Sequence, residues 1–146
     1  MLLSTSVLLS AALVAFLVPI ALADLRSRRI PNRLTGPAAL LAVVVVLATD
    51  PGGLPERGLA AATAGGAFLL VALASPEGMG MGDVKLVAVL GLYLGGDVAA
   101  ALLVALAAAS LAGVAILLRW GLREGRRATI PLGPFLALGG VVALIA

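Results

Sequence analysis

Cysteine and histidine are both missing from the 146 residues. Without cysteine there is no disulfide, no thiolate nucleophile and no cysteine-ligated zinc. Without histidine there is no Ser-His-Asp triad and no paired-histidine zinc helix. Aromatic residues are scarce at 3%, and charged residues make up 12%, about half the share a soluble domain carries. Neither a soluble globular domain nor a disordered chain is built from this composition. What is present is apolar: 62% hydrophobic residues and 18 glycines, with a mean hydropathy of +1.21. Such a chain uses lipid as its solvent. Any catalysis must come from carboxylates, hydroxyls, Lys, Arg or Tyr.

Six uncharged runs cover residues 1–23, 34–49, 58–76, 86–96, 98–118 and 128–146. A spanning helix takes about 20 residues, and about 17 at the short end. Run 34–49 falls slightly short of this and run 86–96 clearly so. No Lys or Arg precedes the first run, so a cleaved signal peptide is not expected, although Ala21-Leu22-Ala23 has the form of a cleavage site. The basic residues divide unevenly. The hydrophilic segments after the first, third and fifth runs carry nine of them, and the segments after the second and fourth carry only Arg57. The positive-inside rule places the basic segments in the cytoplasm and both termini outside. The pI of 10.6 is thereby read as topology and not as affinity for nucleic acid. The expectation is an all-α, polytopic membrane protein of the inner (plasma) membrane. It is a bundle of six transmembrane helices forming one membrane-embedded domain over residues 1–146, with no internal repeat.

Turn chemistry marks the helix ends. Pro31 and Pro37 flank the start of the second helix, Asp50-Pro51-Gly52-Gly53 follows its end, and Pro131 and Pro134 sit in the first turns of the last. Gly91 and Gly95 make a GxxxG step on the fourth helix, and Gly65-Gly66 thins the third; close helix packing accounts for both.

The seven acids are then sorted by position. Asp50, Glu56 and Asp97 fall in turns on the outer face, Glu124 stands among arginines, and Glu77 suits a helix start. Asp83 is different. Run 86–96 becomes long enough to span only if the helix starts near Pro76, which puts Asp83 about seven residues in, roughly 10 Å along the axis. An ionisable group at that depth is a functional-site hypothesis by default. The alternative is an ordinary acidic helix cap after a glycine-rich loop. Gly78, Gly80 and Gly82 remove side-chain bulk, so that a second backbone can come close to Asp83. Asp24 ends the first run on the same membrane face, either as a functional group or as a salt-bridge partner of a nearby arginine.

Two neighbouring carboxylates in a poorly solvated site do not both ionise easily; one keeps its proton while the other is a base. Such a pair can direct water at a peptide bond. It can equally hold a cation or relay protons in a small transporter or channel, and composition does not separate these classes.

Three patches carry a family resemblance. Asp24 is followed by Arg29-Ile30-Pro31-Asn32-Arg33-Leu34; Gly80-Met81-Gly82-Asp83-Val84-Lys85-Leu86 contains a GxGD step; Ile130-Pro131-Leu132-Gly133-Pro134-Phe135 forms a late Pro-Gly-Pro helix start. In this order, on six apolar runs, they resemble the type IV prepilin leader peptidases, membrane aspartyl proteases of the GxGD kind. The resemblance implies an endopeptidase that removes a short basic leader from prepilin-like substrates on the cytoplasmic side. Asp24 and Asp83 would be the catalytic pair, with Gly80, Gly82, Lys85, Pro31 and Asn32 supporting the site or the substrate. Lys85, two residues beyond Asp83, points away from it on a regular helix, toward lipid phosphate, a substrate carboxylate or the membrane surface. Larger bifunctional members carry a domain with paired Cys motifs and methylate the new N-terminus. A chain without Cys resembles the short peptidase-only members serving Flp/Tad pili or archaeal flagellins. No cofactor, metal or nucleic acid is expected; the partners are a prepilin-like substrate and membrane lipid, and no oligomeric state is indicated.

Overall fold

The computed structural model describes residues 4–125 and 130–146. Arg126 and Arg127, two of the basic residues used in the topology argument, lie outside the described residues. Six α-helices follow in the expected order: α1 (Thr5–Ser27), α2 (Asn32–Thr49), α3 (Leu54–Ala74), α4 (Met81–Leu94), α5 (Val98–Gly125) and α6 (Gly133–Ile145). No strand occurs among the described residues. Four stretches are long and apolar enough to cross a membrane: Thr5–Ser27, Asn32–Thr49, Pro51–Ala74 and Met81–Gly125. The last contains α4 and α5, joined at the turn Gly95–Asp97, where Gly95 takes φ +59°. Gly95 is therefore a helix stop in a conformation that suits glycine, and not the second half of a packing step.

Two helices, α4 with 14 residues and α6 with 13, are shorter than the roughly 17 residues a span takes. α6 has 13 residues, about 20 Å of rise, because Pro131 and Pro134 set where it begins. α4 starts at Met81 and not near Pro76. Residues 75–78 instead form a turn closed by the Gly78 N–H on the Ser75 carbonyl, at 3.0 Å. Proline followed by three glycines at alternate positions resists helix formation, so Glu77 lies exposed in the turn and not at a helix start.

The interior is built by close approach of small residues. A Cβ on Gly91 would sit 2.6 Å from the Ala61 backbone, so α3 and α4 touch backbone to backbone there. Gly139 on α6 faces the Ala101 carbonyl of α5, and Gly140 sits between Leu17 of α1 and Leu90 of α4. Around these contacts Leu13, Leu17, Ile20, Leu86, Leu90 and Leu136 are fully buried. Polar tethers also link the helices. The Tyr93 hydroxyl of α4 donates to the Ala38 carbonyl of α2 at 2.7 Å, in the interior. The Arg57 guanidinium of α3 donates to the Leu92 and Tyr93 carbonyls, which satisfies the open C-terminal end of α4 and complements its dipole. The single basic residue of the even-numbered segments is thus a helix cap. At the opposite end of the bundle the starts of α4 and α6 and the end of α1 converge.

Candidate active site

Asp24 lies in the last turn of α1. Arg28 ends that helix in the left-handed conformation (φ 53°), its N–H on the Asp24 carbonyl at 2.8 Å. The turn directs residues 28–30 back across the bundle end. The Asp24 side chain is 5% exposed, and its Oδ2 accepts a hydrogen bond from the backbone N–H of Gly133 at 2.8 Å. Gly133 is the first residue of α6, whose opening N–H groups have no partner within the helix. Its missing side chain is required: a Cβ there would lie 2.5 Å from Asp24 Oδ2 and 2.9 Å from Asp24 Cβ. The helix start and the carboxylate therefore fit only with glycine between them. Asp24 is thus buried and has a backbone partner at the start of α6.

Asp83 is the third residue of α4, in its first turn after the Gly80 cap, with its N–H on the Gly80 carbonyl at 3.2 Å. It is therefore not seven residues along a helix, and an acid in this position suits the helix dipole. The glycines act as expected in one case. A Cβ on Gly82 would meet Ile30 Cβ at 3.0 Å and the Ile30 backbone at 3.4 Å, so Gly82 lets the start of α4 press against the chain leaving α1. Gly80 has only ordinary contacts, 3.7 Å from Asp83 Oδ2.

Asp24 and Asp83 line one cavity of about 300 Å³, open at the end of the bundle. Gly80, Gly82, Asn32 and Lys85 line it too, together with Arg28 and Arg29. Lys85 does not point away from Asp83 as helical spacing implied. Its long side chain reaches α2, where Nζ donates to Asn32 Oδ1 at 2.8 Å. Pro31 is not among the lining residues; it is the α2 cap, its carbonyl accepting from the Leu34 and Thr35 N–H groups.

Comparison with known proteins adds the family. The model of the type IV leader peptidase family matches residues 11–118, which include both aspartates. The chain belongs to this family. It is 35% identical over 136 residues to a prepilin leader peptidase/N-methyltransferase of Xanthomonas campestris pv. campestris, covering 87% of this chain and 46% of that protein. It is 40% identical over 77 residues to a protein of the same description from Burkholderia pseudomallei, covering 53% of this chain and 25% of that protein. The chain thus spans less than half the length of these relatives. No solved structure gives a significant match.

In this leader peptidase family member the fold gathers six of the seven residues singled out in the sequence around one cavity; the seventh, Pro31, caps α2 between the lining residues Ile30 and Asn32. In the sequence Gly133 stands out only as part of a helix start. Its role as partner of Asp24 joins residues 109 positions apart, and the one local signal is a glycine held between two prolines. Ile30, the residue Gly82 packs on, likewise stands out only as part of a motif.

Proposed function

We propose that the protein is an aspartyl endopeptidase of the inner membrane that removes the leader of prepilin-like substrates, acting from the cytoplasmic face. The observation that supports this reading is the shared cavity. Two carboxylates from different helices, one of them buried and oriented by the start of α6, line a pocket at the basic end of the bundle. In the proposed reaction the ionised carboxylate takes a proton from water as the water oxygen bonds to the scissile carbonyl carbon. The protonated carboxylate donates to the carbonyl oxygen, and as the C–N bond breaks a proton passes to the leaving amine. No group outside the pair is needed for the proton balance.

The lining also favours this reading over a cation or proton path. Three basic side chains, Arg28, Arg29 and Lys85, border the cavity and disfavour a bound cation. Beyond it the described helices meet through Ile20, Leu86, Val87 and Leu90, all apolar and fully buried, which does not favour a path for a cation. The absence of Cys motifs in these 146 residues supports a reading of peptidase action without N-methylation, as in the short members it resembles; Flp/Tad-type pilins are the substrate class proposed. The test is co-expression with such a prepilin, scoring leader removal by gel shift and the product N-terminus by mass spectrometry. An uncleaved prepilin overturns the activity, and a methylated product made by this protein alone overturns the peptidase-only assignment.

A further inference from the structure

The cavity continues into a groove between α2 and α4 of about 360 Å³. On α2 its wall is Asn32, Thr35, Gly36 and Ala39; on α4 it is Lys85, Ala88, Val89 and Leu92. Each set has the spacing i, i+3, i+4, i+7, which is one continuous face of a helix. The two faces run side by side and begin with a polar pair that borders both spaces, Asn32 and Lys85. From Lys85 to Leu92 the groove follows α4 for about 10 Å at 1.5 Å per residue. After its polar head the lining is small or apolar, and a Cβ on Gly36 would meet nothing within 4 Å. Small side chains on two facing stripes leave room for a third helix to approach closely, and spacing of this kind is how a helix is read in a groove. A second apolar groove of about 350 Å³, between α1 and α6, runs along Val14, Val18, Ala21 and Leu138 and shares no residue with the cavity.

We infer that the α2–α4 groove is the docking site for the apolar membrane-spanning segment of the substrate, seated as a helix while the adjoining polar stretch passes the Asn32–Lys85 pair into the carboxylate cavity. This rests on the peptidase reading above. Continuity decides the occupant: a chain that reaches the carboxylates through the groove must change from apolar to polar at Asn32 and Lys85. A membrane-inserted protein with a polar terminal extension has that pattern; a lipid acyl chain has no peptide bond to present to the carboxylates. Substrates of this class are selected by the apolar segment adjoining the cleaved bond as well as by the bond itself.

The chain has no cysteine, so single introduced thiols report cleanly. Ala39→Cys faces the groove, and Leu40→Cys, 66% exposed, lies on the neighbouring face of α2 outside it. Full-length protein in membranes is paired with a membrane-inserted prepilin carrying single cysteines along its apolar segment. A disulfide adduct is expected at position 39, at substrate positions spaced three or four apart, and not at 40. In parallel, Ala39→Phe is compared on the inserted prepilin and on a soluble peptide that contains the same bond but ends before the apolar segment. The ratio of KM values, inserted substrate over peptide, is expected to rise at least about tenfold, with Leu40→Phe leaving it unchanged. Equal adducts at 39 and 40, or equal effects on both substrates, overturn the groove assignment and leave the peptidase standing. Failure of the unmodified protein to cleave either substrate refutes the peptidase reading itself.

Discussion

Replacing Gly133 by alanine tests how the α6 start serves Asp24. The new Cβ would sit 2.5 Å from Asp24 Oδ2 and 2.9 Å from both Asp24 Cβ and Cγ. Rotating the carboxylate relieves the first contact but not the contact with Cβ, so the start of α6 must move away from α1. That movement lengthens or breaks the 2.8 Å bond from the Gly133 N–H. Asp24 is buried, and water does not readily replace the lost donor. A hydrogen bond to a charged group contributes about 1.5–3 kcal/mol, which at about 1.4 kcal/mol per tenfold corresponds to a loss of roughly 10- to 150-fold in kcat. The assay is initial-rate leader cleavage with purified protein and a prepilin substrate, alongside thermal unfolding in the same detergent. Gly139→Ala is the matched control on the same helix. Its Cβ would strike the Ala101 carbonyl of α5, so it should lower unfolding temperature while the folded fraction keeps its rate per molecule. If Gly133→Ala cleaves within twofold of the unmodified protein, the helix start does not position Asp24.

Three further outcomes are expected. Tyr93→Phe removes the interior bond to the Ala38 carbonyl and should lower stability by about 0.5–1.5 kcal/mol, read by denaturant unfolding in micelles, with cleavage little changed. Single cysteines at Ser27 and Gly52, both exposed and at opposite ends of the bundle, should react with an impermeant thiol reagent from opposite sides, Ser27 from the cytoplasm; labelling of both from one side in intact cells would contradict the topology. Cleavage should persist in a chelator, because the cavity sets three basic side chains around its two carboxylates; loss of activity that returns on adding a divalent ion would point to a metal at the pair.

The bundle was largely legible in the sequence because lipid imposes a simple rule: every charge needs a reason. That rule isolated Asp24 and Asp83, and the charge asymmetry assigned them to one end, where the fold brings them to one cavity. The close approach at Gly82 followed from its missing side chain. What was not legible depends on how helices lie against one another. Run length suggested that α4 begins near Pro76, but local propensity at Pro76 and the alternate glycines governs there, and the helix starts at Met81. Helical spacing sends Lys85 away from Asp83, yet its four-carbon stem lets the ammonium reach Asn32 on α2. Gly95 matched a packing motif by spacing alone, whereas its positive φ makes it a helix stop. The bond from Gly133 to Asp24 has no local signature beyond the flanking prolines, since it exists only when α6 packs on α1.

The central claim is that Asp24 and Asp83 act as one catalytic unit. Asp24→Asn, Asp83→Asn and the double variant keep the side-chain shape and remove the acid and base function. The measurement is the cleavage rate of a co-reconstituted prepilin for the three variants, with Asp50→Asn and Asp97→Asn, from the opposite end of the bundle, as controls. Each single change should abolish leader removal while insertion and prepilin binding persist. The double change should be little worse than either alone, as for groups that act together, and both controls should cleave normally. Substantial cleavage by Asp24→Asn or by Asp83→Asn contradicts the account.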